Sequence, residues 1–254
     1  MKRLWLIPIL CLLALPCAAD DMRLARMQQA IVGSGVVTAP AAPDVPHTVY
    51  ITENTIDIAY TSIPYDAGTF STGVLDAWLN AGATTTNYVS DEYLSLGYWT
   101  GPFYDTAVFI FDVSGIPSTA EITDVSLVMS CRGGCATFAN VIEIRRCLVN
   151  VDIATTTYQI YSTGNSWQSN GGVGGSDGAA SSSSFAKDGA NDWFVGTGAG
   201  LISDVQGWVD SSYANYGWLI VNPGTTDGDF GQFNSSNVVN GWRPYLKVEY
   251  LAYE

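Results

Sequence analysis

The chain has 254 residues, with 24 acidic residues against 10 basic ones and a single histidine, for a formal net charge of −14 at pH 7. A surface this acidic repels nucleic acid, and it repels anionic polysaccharide unless a divalent cation bridges the two. With 47% hydrophobic and 13% charged residues the chain can bury a core, and its length suits one large all-β domain.

Residues 1–19 carry Lys2 and Arg3, an apolar stretch from Leu4 to Leu15, and small residues ending at Ala18 and Ala19. That is the pattern of a cleaved signal peptide. The apolar stretch is shorter than a bilayer-spanning helix requires. Cleavage after Ala19 removes two basic residues and no acid, so the exported chain carries 8 − 24 = −16. The expectation is a secreted or extracellular-surface protein with no transmembrane anchor in the mature chain.

Residues 20–46 shift to small residues and prolines, ending in Thr38-Ala-Pro-Ala-Ala-Pro-Asp-Val-Pro46. Such a composition does not bury enough apolar surface to fold alone. The segment reads as a linker or tether, or, through Ala30 to Val37, as a strand donated to a neighbouring subunit's sheet.

From residue 47 to 254, runs rich in Val, Ile, Thr, Tyr and Phe alternate with turn residues, the mark of an antiparallel sandwich. The clearest expected strands are Thr48 to Ile51, Glu92 to Leu96, Thr106 to Val113, Ile122 to Ser130, Val141 to Val149, Gly217 to Val221 and Pro244 to Tyr250. In Thr106 to Val113, alternation puts Val108 and Ile110 on one face and Phe109 and Phe111 on the other. Two short helices are expected, Val74 to Asn80 and Leu201 to Val209, the second with Leu201, Val205 and Trp208 on one face. Gly164 to Lys187, with its Gly-rich run and Ser181 to Ser184, reads as an exposed polar loop or a wall beside a site.

Three cysteines follow the signal segment. Cys131-Arg-Gly-Gly-Cys135 reads as a hairpin loop closed by a disulfide, which export permits and which leaves Cys147 over. A zinc site needs a fourth ligand, and the single histidine, His47, sits in the linker region. Asp227 and Asp229, a glycine apart in Thr225-Thr-Asp-Gly-Asp-Phe-Gly-Gln232, form an oxygen-rich loop that suits a structural Ca²⁺, as does Asp177, although Asp and Gly are also ordinary turn residues. No cofactor is required.

In order and spacing, several segments resemble the DNRLRE domains, a family found as carbohydrate-binding modules and in disaggregatase-related surface proteins. They are Thr86-Asn-Tyr88 with Asp91-Glu-Tyr-Leu-Ser-Leu-Gly97, then Thr106-Ala-Val-Phe-Ile-Phe-Asp-Val-Ser-Gly-Ile-Pro117, then Ile122-Thr-Asp-Val-Ser-Leu127. After them come Trp167, Asp204-Val-Gln-Gly-Trp-Val-Asp210, Asn215-Tyr-Gly-Trp-Leu-Ile220 and Arg243-Pro-Tyr-Leu-Lys-Val-Glu-Tyr250. The series runs from about residue 50 to the C-terminus. The resemblance implies a jelly-roll β-sandwich, usually non-catalytic, in secreted or surface proteins, with polysaccharide binding in some members. Few basic residues remain to hold an acidic polysaccharide, so a neutral glycan is the better expectation.

Trp208 and Trp218 lie in apolar-periodic segments and are expected in the core. With His47 outside the domain proper, no Ser-His-Asp or Cys-His constellation arises, and the chain is not expected to be an enzyme. Glycoside hydrolysis needs only two carboxylates and is the remote alternative. Sugar faces pack on aromatic rings while polar side chains take the hydroxyls. The aromatic-rich loops place the candidate platform at Tyr98, Trp99, Tyr104 and Trp193. The functional expectation is a carbohydrate-binding or adhesion-type module. Its alternative is a structural cell-surface or virion-associated protein that self-associates or binds protein.

Overall fold

The computed structural model describes residues 45–53, 69–71, 73–98, 104–135, 141–187, 193–223, 229–239 and 242–252. All of them belong to one compact unit, Pro43–Glu254. Residues 1–19, expected to be a signal peptide, and most of residues 20–46, expected to be a linker, lie outside the described residues. The fold is all-β. Its strands are β1 (Val45–Ile51), β2 (Thr69–Ser71), β3 (Val74–Leu79), β4 (Tyr93–Tyr98), β5 (Tyr104–Phe111), β6 (Glu121–Gly133) and β7 (Ile142–Cys147). They continue with β8 (Ile160–Ser162), β9 (Asn165–Ser166), β10 (Gly178–Lys187), β11 (Trp193–Thr197), β12 (Trp218–Val221), β13 (Asp229–Asn234) and β14 (Tyr245–Ala252). One α-helix, α1 (Ala199–Val209), is present among the described residues, and none of their helices is long and apolar enough to cross a membrane.

The long strand β6 is the hinge of the topology. Leu127 pairs with Gly196 of β11 on one edge and with Leu246 of β14 on the other, while Cys131 and Gly133 reach β13. Because β11 also pairs with β10, the path β11-β10-β7-β12-β5-β4-β13-β6 closes on itself, with β14, β1 and β2 continuing from β6. The pairings are antiparallel except β1 with β2. A sheet that curls and closes in this way is a barrel-like sandwich, and closure removes most free edges.

Inside it, Phe109, Phe111, Leu94, Leu96, Leu127, Met129, Trp218 and Phe233 form the main core. The alternation expected along β5 holds: Val108 and Ile110 face the other way, into a second cluster with Leu79, Cys147, Trp167, Leu219 and Val221. That second cluster is roofed by the segment between β7 and β10. The Trp167 indole N–H donates to the Thr157 carbonyl at 2.9 Å, and the buried Asp177 carboxylate accepts from the backbone N–H groups of Gln168, Ser169 and Gly174 at 2.8–3.2 Å. Asp177 is thus a turn-organising carboxylate whose oxygens are taken by backbone donors.

Several expectations need correction. Val74–Leu79 is a strand, not a helix, paired residue for residue with β5 from Val74↔Phe111 to Leu79↔Thr106. Val74 and Trp78 enter the main core while Ala77 and Leu79 enter the second, so burial on both faces erased the polar alternation that marks a strand. The expected polar loop Gly164 to Lys187 contains β10, ten residues long, held between β7 and β11. Its serines serve the sheet: the Ser182 hydroxyl donates to Asp204 at 2.6 Å. His47 and Pro46 belong to β1, where His47 stacks on Tyr250 at 5.1 Å, and not to a preceding linker.

The expected helix is present as α1, with Leu201, Val205 and Trp208 buried against the main core. Trp208 and Trp218 are core residues, their centroids 4.6 Å apart.

Candidate ligand-binding cleft

Alternation along β6 sends Leu127 and Met129 into the core and Val128 and Ser130 to the outer face. Trp193 is the register partner of Ser130 and packs there with Tyr50, Val128 and Tyr245. The Ser130 hydroxyl donates to the Trp242 backbone carbonyl and accepts from the Asn234 amide at 2.8 Å. This fixes Trp242 over Trp193, ring centroids 5.4 Å apart and planes 15° from parallel. Trp193 is 2% exposed and Trp242 is 40% exposed. One ring is the buried support, the other the accessible surface.

Trp242 lines an open cleft of about 350 Å³ with Glu92, Cys131, Arg132, Asn234, Val238 and Val239. Arg132 lies 3.5 Å from Glu92 and its guanidinium sits 5.3 Å from the centre of the Tyr93 ring. The rim segment Asn234 to Val239 is held from several directions. The Ser235 hydroxyl donates to the Asp91 carbonyl, and the Asn237 amide donates to Val89 at 2.7 Å. The Arg243 Nε–H donates to the Val238 carbonyl at 2.7 Å. The Ser236 backbone N–H donates to Asp76 Oδ2 at 2.7 Å, while Asp76 Oδ1 has no partner. Burial raises the Asp76 carboxyl to about 7 against the pull of the Ser236 hydrogen bonds. The cleft offers one aromatic face, an ion pair able to give and accept hydrogen bonds, and a fixed amide.

The residues named from sequence divide between two places. Trp193 reaches the cleft only as the ring beneath Trp242. Its own faces are covered, so the accessible aromatic is Trp242, which sequence reasoning passed over. The signal that picked the Gly97-Tyr-Trp loop, aromatics between turn residues, also exists in Asn240-Gly-Trp242-Arg-Pro. Tyr98 and Tyr104 are register partners across the β4–β5 hairpin. Five strand steps separate them from Tyr93, about 17 Å, so they and Trp193 do not share a site. Tyr104 is partly buried against the second cluster, and desolvation raises its phenol. Trp99 lies outside the described residues.

Asp229 pairs with Tyr98 and is buried, its Oδ2 accepting from the Asn222 amide at 3.2 Å. Gly97 is what permits this approach. Its φ is +111°, and a Cβ there would fall 2.1 Å from the Asp229 carbonyl oxygen. Asp227 lies outside the described residues. Among the described residues no group of three or more His, Cys, Asp and Glu is placed to hold a metal ion.

The disulfide joins Cys131 to Cys135, Cα atoms 6.1 Å apart. It does not close a hairpin of facing strands, because β6 runs on through Gly133 and pairs with β13. Cys147 is a buried free thiol, which desolvation pushes up to about 11. A scan against models of known protein families and a search of curated proteins return no match.

Proposed function

We propose that the chain is a secreted, non-catalytic carbohydrate-binding module of adhesion type, taking a neutral glycan in the Trp242 cleft. The observation that carries this reading is an accessible indole held flat on a buried one, in a cleft with polar groups beside it. A pyranose ring stacks its C–H face on such an indole, and its hydroxyls reach the Glu92 carboxylate and Arg132 guanidinium. Arg132 is balanced by Glu92, so the cleft has no net positive charge to draw a polyanion against a chain charge of −14. Glu92 is the one carboxylate in the described lining and is engaged in the ion pair. The resemblance to DNRLRE domains points to the same class.

The test is titration of the purified chain with neutral and acidic polysaccharides, with and without Ca²⁺, beside Trp242→Ala. Saturable binding of a neutral glycan that the variant loses supports the reading. Equal binding by the variant, or binding of polyanions only through Ca²⁺, overturns it.

Val239, 85% exposed beside Trp242, favours a second reading, a surface or virion-associated protein whose partner is protein. In that case the chain self-associates or binds protein through Val239 and Trp242 and ignores glycans, which its mass in solution reports. Release of reducing ends from a glycan would instead mark a hydrolase.

A further inference from the structure

We infer that the Trp242 cleft selects sugars that carry an acetamido group, N-acetylhexosamines, over the parent hexoses, with the methyl of that group seated on a valine shelf. The selection rests on the glycan reading of the cleft and names the class of sugar it takes.

The platform fixes where a ring sits. Trp242 stacks on Trp193, the register partner of Ser130, and its backbone carbonyl accepts from the Ser130 hydroxyl. Along β6, Met129 and Cys131 pack toward the main core, so Ser130 and Arg132 share the outward face, about 7 Å apart. A pyranose lying on the Trp242 indole therefore turns one edge toward the pair of Arg132 and Glu92, whose charged atoms are 3.5 Å apart. That pair presents a donor and an acceptor side by side. Two adjacent ring substituents fill it when one gives a proton and the other accepts one, as an acetamido N–H on Glu92 and the neighbouring hydroxyl oxygen on Arg132 do.

Beside Glu92 lies the shelf. The Ser235 backbone N–H donates to the Glu92 carbonyl at 3.1 Å, and the Val238 N–H donates to the Ser235 carbonyl at 3.3 Å. These two bonds tie the valines of the cleft wall to the backbone of Glu92. Val238 is 3% exposed and forms the base, whereas Val239 is 85% exposed. A lone exposed valine carries no message. This one shares a wall with Trp242, so the cleft has apolar surface beyond what the flat face of one sugar ring covers. A hydroxyl in the place of the acetamido group leaves the valines wet. An acetamido group that gives its N–H to Glu92 carries a methyl past the carboxylate to the shelf, and apolar surface on both sides leaves water. Because Arg132 and Glu92 balance each other, the edge suits a neutral amide better than the charged amine of a deacetylated sugar.

The experiment titrates the purified chain with chitotetraose, cellotetraose and the tetramer of glucosamine, three chains of one linkage that differ only in the group on the second ring carbon. Val239→Ser and Trp242→Ala are run beside it, with far-ultraviolet circular dichroism to confirm their strand signal. Chitotetraose should bind at least about tenfold tighter than cellotetraose, the low end for one methyl-sized apolar contact. Val239→Ser should bring the two to within about threefold by weakening chitotetraose alone. Equal affinities in the unaltered chain, or a preference that Val239→Ser leaves whole, overturns the acetamido selection. Tightest binding of the glucosamine tetramer overturns it too, because charge is then what the cleft reads. In each of these cases loss of binding in Trp242→Ala upholds the glycan reading on its own. Full binding by Trp242→Ala, or binding of no neutral glycan at all, sinks that reading and the selection with it.

Discussion

Two tryptophan pairs of similar spacing sit in different parts of the molecule. The inner pair, Trp208 with Trp218, is tilted by 54° between α1 and the sheet. There the Trp218 indole N–H donates to Asp204 at 2.8 Å, and the same carboxylate receives Ser182 and pairs with Arg146 at 3.1 Å. In the rim pair, Trp193 with Trp242, the planes are nearly parallel and one ring ends in solvent. The residue type is the same, and the role is decided by what lies on the far side of the second ring. In the inner pair that side is core. At the rim it is solvent, which is where the proposed glycan would stack.

Substitution separates the two pairs. Trp218→Ala should have the largest effect, because a fully buried indole leaves a cavity: about 3–5 kcal/mol of stability, read by urea denaturation. A loss below about 1 kcal/mol would remove the distinction between the pairs. Next come the carboxylates behind each pair. Asp204 has three partners, whereas Asp76, behind the rim segment, has one oxygen bonded and one alone.

With the folded Asp76 at about 7 and an unperturbed value of 3.8, the unfolded chain releases this proton first as pH rises. Stability therefore falls from about pH 4 to about pH 7 and then levels, by up to about 4 kcal/mol. Asp105, raised to about 6 by burial, adds a loss of the same sign over a narrower window. Asp76→Asn should flatten the part between pH 6 and 7 in denaturation curves taken across that range, and an unchanged profile would rule out Asp76 as its source.

Smaller again, Cys131→Ser/Cys135→Ser should cost about 2 kcal/mol, the loop-closure entropy of a short ring, checked by the same denaturation. Smallest in stability is Trp242→Ala, within about 1 kcal/mol, yet it should lower glycan affinity at least about tenfold in a binding titration. A Trp242→Ala chain that unfolds easily would make the rim pair a second core and not a platform.

Much of the sandwich was legible because β-branched and aromatic runs bounded by turn residues leave few alternatives, and α1 was legible from Leu201, Val205 and Trp208. What escaped notice did so for physical reasons. β3 is buried on both faces, so its apolar residues recur without alternation and Val74 with Trp78 mimics a helical spacing. β10 is serine-rich because its backbone does the pairing and its hydroxyls bond to neighbours such as Asp204, which composition reads as a loop. At the cleft, Trp193 drew attention as an aromatic near turns. Nothing in its local sequence reveals that Trp242, far along the chain, closes over it. The disulfide could be read from its spacing, whereas β6 running on past Cys131 depended on β13, itself hidden in a segment read as an oxygen-rich loop.

The pairing of β1 with β14, from Val45↔Ala252 to Ile51↔Leu246, brings together the first and last strands described. A chain made from its N-terminus therefore holds β1 without its antiparallel partner until β14 has been made, about 200 residues later. Such long-range closure slows folding, because most of the loop entropy is surrendered before the contacts that reward it form.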